Sequence, residues 1–149
     1  MNTFAIRQRF DAPAATVWDL IGDFYSVGTW MPGVAGVVAD TTAHTRTITM
    51  QDGERLVEHL LEEGPRFHAY RFLDPGPVPV AEFQARITVV DAGAGGSEIH
   101  WEASFAPVPG VAAEDAAAAV GGFYRACLDK VAAELGRAGR AGQDVTCQP

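Results

Sequence analysis

Residues 45–60, TRTITMQDGERLVEHL, decide how this chain folds. Before Asp52-Gly53, Arg46, Ile48 and Met50 alternate with Thr45, Thr47 and Thr49. After it, Leu56, Glu58 and Leu60 alternate with Val57 and His59. Period two on both sides of an Asp-Gly pair is the signature of a hairpin. Arg46 and Glu58 each share parity with the apolar side chains of their strand, so both are expected on the buried face. A turn centred between Asp52 and Gly53 puts them within one residue of facing each other, and a single bulge would correct the register. Desolvating such a pair is expensive, which makes it a poor device for stability alone. Arginine offers a planar fork to a carbonyl, enolate or carboxylate oxygen, and glutamate can accept and return a proton. The plain alternative is a salt bridge that ties two strands together without chemistry.

Reading outward, Thr3 to Phe10 also alternate and predict a first strand. Asp11 is placed as the N-cap of a helix with Pro13 in its first turn, followed by Val17, Trp18 and Ile21 at helical spacing. A second short helical piece is expected from Phe24 to Trp30. Strands are predicted near 34–40, 44–50, 55–62, 67–73, 82–91 and 97–105, where Val, Ile, Thr, Phe and Tyr concentrate between turn residues. Residues 74–79, DPGPVP, cannot pair along their length because proline lacks a donor, so a loop at a cavity mouth or an edge crossing is expected. From Glu114 to about Leu135, apolar residues recur at spacings of three and four and predict one long helix. Residues 136–149 are Gly-, Ala- and Arg-rich and are expected to form a flexible tail. Strand, two short helices, six strands and a long helix define an α+β chain. The economical packing is a seven-stranded curved antiparallel sheet around the C-terminal helix.

Composition agrees with a single domain over residues 1–135. The chain has 149 residues, 48% of them hydrophobic and 20% charged, which excludes wholesale disorder. A net charge of −8 argues against nucleic acid and anionic lipid surfaces as partners. No apolar run approaches a membrane span, the N-terminal decapeptide is too polar for a signal peptide, and a cytoplasmic location is expected. Cys127 falls in the helical pattern and Cys147 in the tail, so no disulfide framework is expected. The four histidines are scattered, and His59 and His100 have outer-face parity, so no metal site is expected. Neither a phosphate-binding glycine loop nor a serine nucleophile elbow is found, and no cofactor is implied.

An ordered series of motifs carries a resemblance. It comprises Val17-Trp18, Gly22-Asp23-Phe24, Trp30-Met31-Pro32-Gly33, Arg46, Gly53, Glu58-His59-Leu60, Phe72, Pro77 to Val80, Phe83-Gln84-Ala85, Gly95-Gly96-Ser97, Trp101 and Phe105-Ala106-Pro107. In this order they resemble the helix-grip, START-like fold of the SRPBCC superfamily. The nearest branch is the polyketide cyclase/dehydratase-like group, which is kin to lachrymatory factor synthase and the abscisic acid receptors. The resemblance implies an internal cavity for a small hydrophobic or amphipathic molecule. It also matches Arg46 and Glu58 to the catalytic pair of the lachrymatory branch.

The expected function is cofactor-independent acid/base chemistry on a small apolar, oxygenated molecule: cyclisation, dehydration or isomerisation of the cyclase/dehydratase kind. Arg46 would hold the developing oxyanion and Glu58 would move the proton. The alternative is a non-catalytic carrier or sensor of a lipid, quinone or polyketide. Trp30, Phe24, Ile48, Leu60 and Phe72 are expected to line the binding space. Phe83, Trp101, Phe123, Tyr124 and Cys127 complete the expected lining. The strand holding Phe72 is ambiguous: His68 shares its parity, Phe67, Ala69 and Leu73 form a rival apolar set, and Tyr70 is expected to turn outward. Glu82 and Arg71 are expected on the outer face, and a homodimer through that face is an open expectation.

Overall fold

A computed structural model describes residues 1–136 and 144–149. Strand β1 (Asn2–Phe10) leads to helix α1 (Ala14–Ile21) and a short 3-10 helix (Phe24–Thr29). Six strands follow: β2 (Val34–Asp40), β3 (Thr45–Met50), β4 (Arg55–Gly64), β5 (Phe67–Asp74), β6 (Val80–Gly93) and β7 (Gly96–Pro107). Helix α2 (Ala113–Glu134) and a last strand, β8 (Asp144–Gln148), close the chain.

All strands pair antiparallel in the order β2-β3-β4-β5-β6-β7-β1-β8. The sheet therefore has eight strands among the described residues, not the expected seven. The extra one comes from the segment read as a flexible tail: Asp144–Gln148 pairs with β1, placing Val145 opposite Ile6 and Cys147 opposite Phe4. Val-Thr-Cys is strand-compatible sequence, and β1 offers an otherwise unpaired edge. The part of that expectation covering residues 137–143 lies outside the described residues.

The β3–β4 hairpin owes its register to a three-residue loop. The Met50 amide donates to the Glu54 carbonyl and the Gly53 amide to the Met50 carbonyl, with Gly53 at φ +90°. A residue in that left-handed region closes this loop length, and glycine adopts it without strain. The turn thus centres on Asp52, and Arg46 lies directly opposite Glu58 without any bulge.

Helix α1 starts two residues later than expected: Pro13 takes the N-cap position and no side chain caps it, so Asp11 does not. Asp23 caps the 3-10 helix instead, accepting from the Tyr25 amide and the Ser26 hydroxyl at 2.9 and 2.8 Å. Helix α2 packs across β1 and β7. There Gly121 is needed for close approach, because a Cβ on it would sit 2.8 Å from the Phe4 ring. The core between sheet and helices is one cluster that includes Phe4, Ile6, Phe24, Trp30, Ile48, Phe83, Trp101, Phe105, Tyr124 and Cys127. No helix among the described residues is long and apolar enough to cross a membrane.

Candidate active site

Strand alternation carries two charged side chains into this core. Arg46 on β3 is 1% exposed and Glu58 on β4 is 3% exposed, while their sequence neighbours Thr47 and Val57 face the other side. Arg46 Nε donates to Glu58 Oε2 at 2.6 Å, and Nη2 contacts the same oxygen. Arg46 Nη1 donates to the Phe24 carbonyl at 2.6 Å. The guanidinium carbon lies 3.9 Å from the centroid of the Phe24 ring and 5.2 Å from that of Tyr70. Each guanidinium nitrogen therefore has a contact within the protein. Both contacts with the carboxylate fall on Oε2, which leaves Oε1 outside the ion pair.

Glu58 borders a small cleft with Tyr70, Phe72, Val78, Phe83, Val120, Phe123 and Tyr124. Strands β4 to β6 supply one wall, helix α2 the other, and the proline-rich loop after β5 supplies Val78 at the expected mouth. The cleft holds about 20 Å³, enough for one water-sized group. The sequence reading expects a hollow interior; stacked aromatic side chains fill it instead. Trp101 lies on Tyr124 with ring centroids 3.7 Å apart and planes within 9°. Phe72 lies on Phe83 at 4.3 Å, and Trp30 meets Trp101 edge-on at 5.5 Å. Larger hollows lie elsewhere. One of about 520 Å³ sits over Ala5, Ala69, Arg86 and Glu102 on the outer face, and one of about 310 Å³ lies between α2 and β8.

Of the expected lining residues, Phe72, Phe83, Phe123 and Tyr124 border the cleft with Glu58. Phe24, Trp30, Ile48, Trp101 and Cys127 are buried core, Leu60 is half-buried on β4, and none of these six borders it. Arg46 stands behind Glu58 rather than at the cleft. Tyr70 is the main residue missed. It is buried beside the cleft, not turned outward, because residues 68, 70 and 72 share one strand face. Val78 and Val120 were also missed; Val120 lies one helical turn before Tyr124, and that spacing is its signal.

The polar groups of the interior have distinct states. Trp101 Nε1 donates to the Tyr70 hydroxyl at 3.1 Å. The Tyr124 hydroxyl lies near enough to that of Tyr70 for each to affect the other's ionisation, but outside hydrogen-bonding geometry. Burial pushes both tyrosines above their ordinary pKa, and Glu58 adds to the rise in both. Burial also pushes the Cys127 thiol up, which removes it as a nucleophile. His68, packed against Trp18, Phe24 and Tyr70, is driven down to about 3, first by burial and then by the Arg46 charge. His59 accepts from Arg71 on the outer face, where Glu82 is also exposed. No group of His, Cys, Asp or Glu suited to a metal ion occurs among the described residues.

A curved antiparallel sheet gripping a long terminal helix, with short helices after the first strand, is the START-like helix-grip fold. Solved structures agree. XoxI from Bacillus cereus superposes with TM-score 0.82 at 25% identity, over 88% of this chain and 93% of that one. A START superfamily protein from Mycobacterium smegmatis gives TM-score 0.74 at 10% identity, over 91% and 98%. The Zhui aromatase/cyclase from Streptomyces sp. R1128 gives 0.68 at 16% identity, over 95% and 99%. The last two are similar in fold alone. A search of curated proteins finds no match. Residues 1–136 match the family described as polyketide cyclase / dehydrase and lipid transport, and the chain belongs to that family.

Proposed function

We propose that this protein binds a small hydrophobic, oxygenated molecule between Glu58 and helix α2 and moves a proton on it with Glu58. The observation that carries the reading is the second carboxylate oxygen. Glu58 is buried at an apolar cleft, held by Arg46 through Oε2, with Oε1 left over for a ligand. Membership in a family of cyclases and dehydrases supports the same reading. The cleft as it stands admits one small group. A ligand therefore enters by displacing Phe72, Phe123 and Val78, which are half-buried at its rim.

For a ketone, Glu58 Oε1 takes the proton from the carbon next to the carbonyl. The C–H electron pair becomes the enolate double bond and the carbonyl oxygen takes the negative charge. In a β,γ-unsaturated ketone the enolate is a dienolate, and returning the proton to its γ-carbon moves the double bond into conjugation and isomerises the ligand. Delivering it to a departing β-hydroxyl releases water and leaves an enone. Arg46 is a positioning residue here, because its nitrogens are committed to Glu58 and Phe24.

Exchange of the α-hydrogens of 1-tetralone in D2O, followed by proton NMR, tests this reading. The native protein is expected to speed exchange by about 100-fold or more, and Glu58→Gln to abolish the gain while retaining the ligand. The second reading, a carrier, is favoured by the lipid-transport half of the family description. It predicts tetralone binding without faster exchange in either protein.

A further inference from the structure

Hydrogen-bond inventory at the cleft restricts what it can recognise. Indole N–H is a donor only, so the Trp101–Tyr70 contact fixes Tyr70 as the acceptor in it. A phenol has one proton, and that of Tyr70 is thereby left for another partner. Tyr124 is 2% exposed, borders the cleft, and its hydroxyl has no hydrogen-bond partner. The stack of Trp101 on the Tyr124 ring limits how far that ring can turn. Tyr70, Tyr124 and Glu58 thus bring two hydroxyls and one carboxylate to the border of a space large enough for one small group.

Arg46, the cation paired with Glu58, does not border that space. Arg46 contacts Glu58 and the Phe24 carbonyl, and the charged residue that borders the cleft is Glu58. Burial keeps both tyrosines protonated through the neutral range. An anionic ligand would meet Glu58 with no free positive charge to offset the repulsion. A neutral hydroxyl or carbonyl oxygen would accept from the two phenols, and a hydroxyl would in turn donate to Glu58 Oε1.

We infer that Tyr70 and Tyr124 form a paired, uncharged donor site for one ligand oxygen, so that the cleft selects neutral phenols, enols and ketones over carboxylates. The inference rests on the ligand-binding reading above and adds a selection rule to it. In proton transfer the same pair would face the oxygen on which the enolate charge develops, the role that the sequence reading gives to Arg46.

Three probes of one shape test it: 2-naphthol, 2-naphthoate and naphthalene. Affinity is read by calorimetry at pH 7, and occupancy by the indole 15N–1H resonance of Trp101. The expected result is 2-naphthol binding at least about 10-fold more tightly than 2-naphthoate. Tyr70→Phe and Tyr124→Phe should each weaken 2-naphthol by about 5- to 10-fold and leave naphthalene unchanged. Glu58→Gln should reverse the preference, because it leaves the Arg46 charge uncompensated; a merely structural role would not move that ratio. Equal binding of naphthol and naphthoate, or unchanged naphthol affinity in either tyrosine variant, overturns the inference and leaves the binding reading standing. No shift of the Trp101 resonance with any probe overturns both.

Discussion

Among the described residues, two arginine–glutamate pairs bridge strands of this sheet, one on each face. Arg46–Glu58 joins β3 to β4 on the inner face with side chains 2% and 4% exposed. Arg86–Glu62 reaches from β6 to β4 on the outer face at 2.6 Å, with side chains 47% and 55% exposed. The outer pair spans β5 over Ala69, which lies between the two residues in the pairing register and is small enough to let them meet. The residue types are the same; their surroundings give them different work. In water the outer ions lose little solvation and gain little by pairing. In the core the inner ions give up most of their hydration, and removal of either strands the other. A costly pair beside a cleft is where function is to be sought, and an inexpensive one on a solvated face is ordinary surface.

The largest expected effect follows from stranding a charge. Glu58→Ala or Arg46→Ala should each lower unfolding free energy by about 3–5 kcal/mol in urea titrations. Replacing both by Leu and Met together should recover most of that loss. If the single variants cost no more than an exposed pair does, the contrast between the faces fails.

A second effect comes from His68, which sits behind the inner pair. Its pKa is held down at about 3, against about 6.5 in the unfolded chain. Between those values the unfolded chain binds the extra proton, so stability is complete above about pH 6.5 and falls as the pH drops. The loss at pH 5 should be about 2 kcal/mol, and His68→Phe should flatten that part of the pH profile. A native profile already flat from pH 7 to pH 5 would contradict the burial of a neutral imidazole beside Arg46.

The smallest effect belongs to the outer face. Arg86→Ala, Glu62→Ala and the double variant should each change stability by no more than about 1 kcal/mol, and less in high salt. A larger, salt-insensitive coupling would mean that the outer pair is covered in solution.

Much of this contrast is legible in the sequence. Parity sets Arg46 with Ile48 and Met50 but sets Arg86 with Gln84 and Thr88, and the structure buries the first and exposes the second. The long helix, the hairpin at Asp52-Gly53 and the proline-rich loop follow from local chemistry in the same way. Tyr70 shares parity with Phe72, so strict alternation already puts it on the inner face with Phe72; the outward expectation broke that alternation, and packing against Phe24 and Phe83 holds the ring inside. Strand β8 depends on a free edge at β1, a long-range property that local composition does not encode. The filling of the interior was not legible either. It depends on how Trp30, Trp101, Tyr124 and Phe83 stack, and parity fixes which way a side chain points but not how much space it leaves.

A crystal structure of the protein with 2-naphthol bound is the most direct test of Glu58 as the functional carboxylate. The account predicts the ring between Phe72, Phe83 and Phe123, with its oxygen against Glu58 Oε1 and the Tyr70 and Tyr124 hydroxyls. Naphthol found only in the outer-face hollow over Arg86 and Glu102, with the Glu58 cleft unchanged, would contradict it.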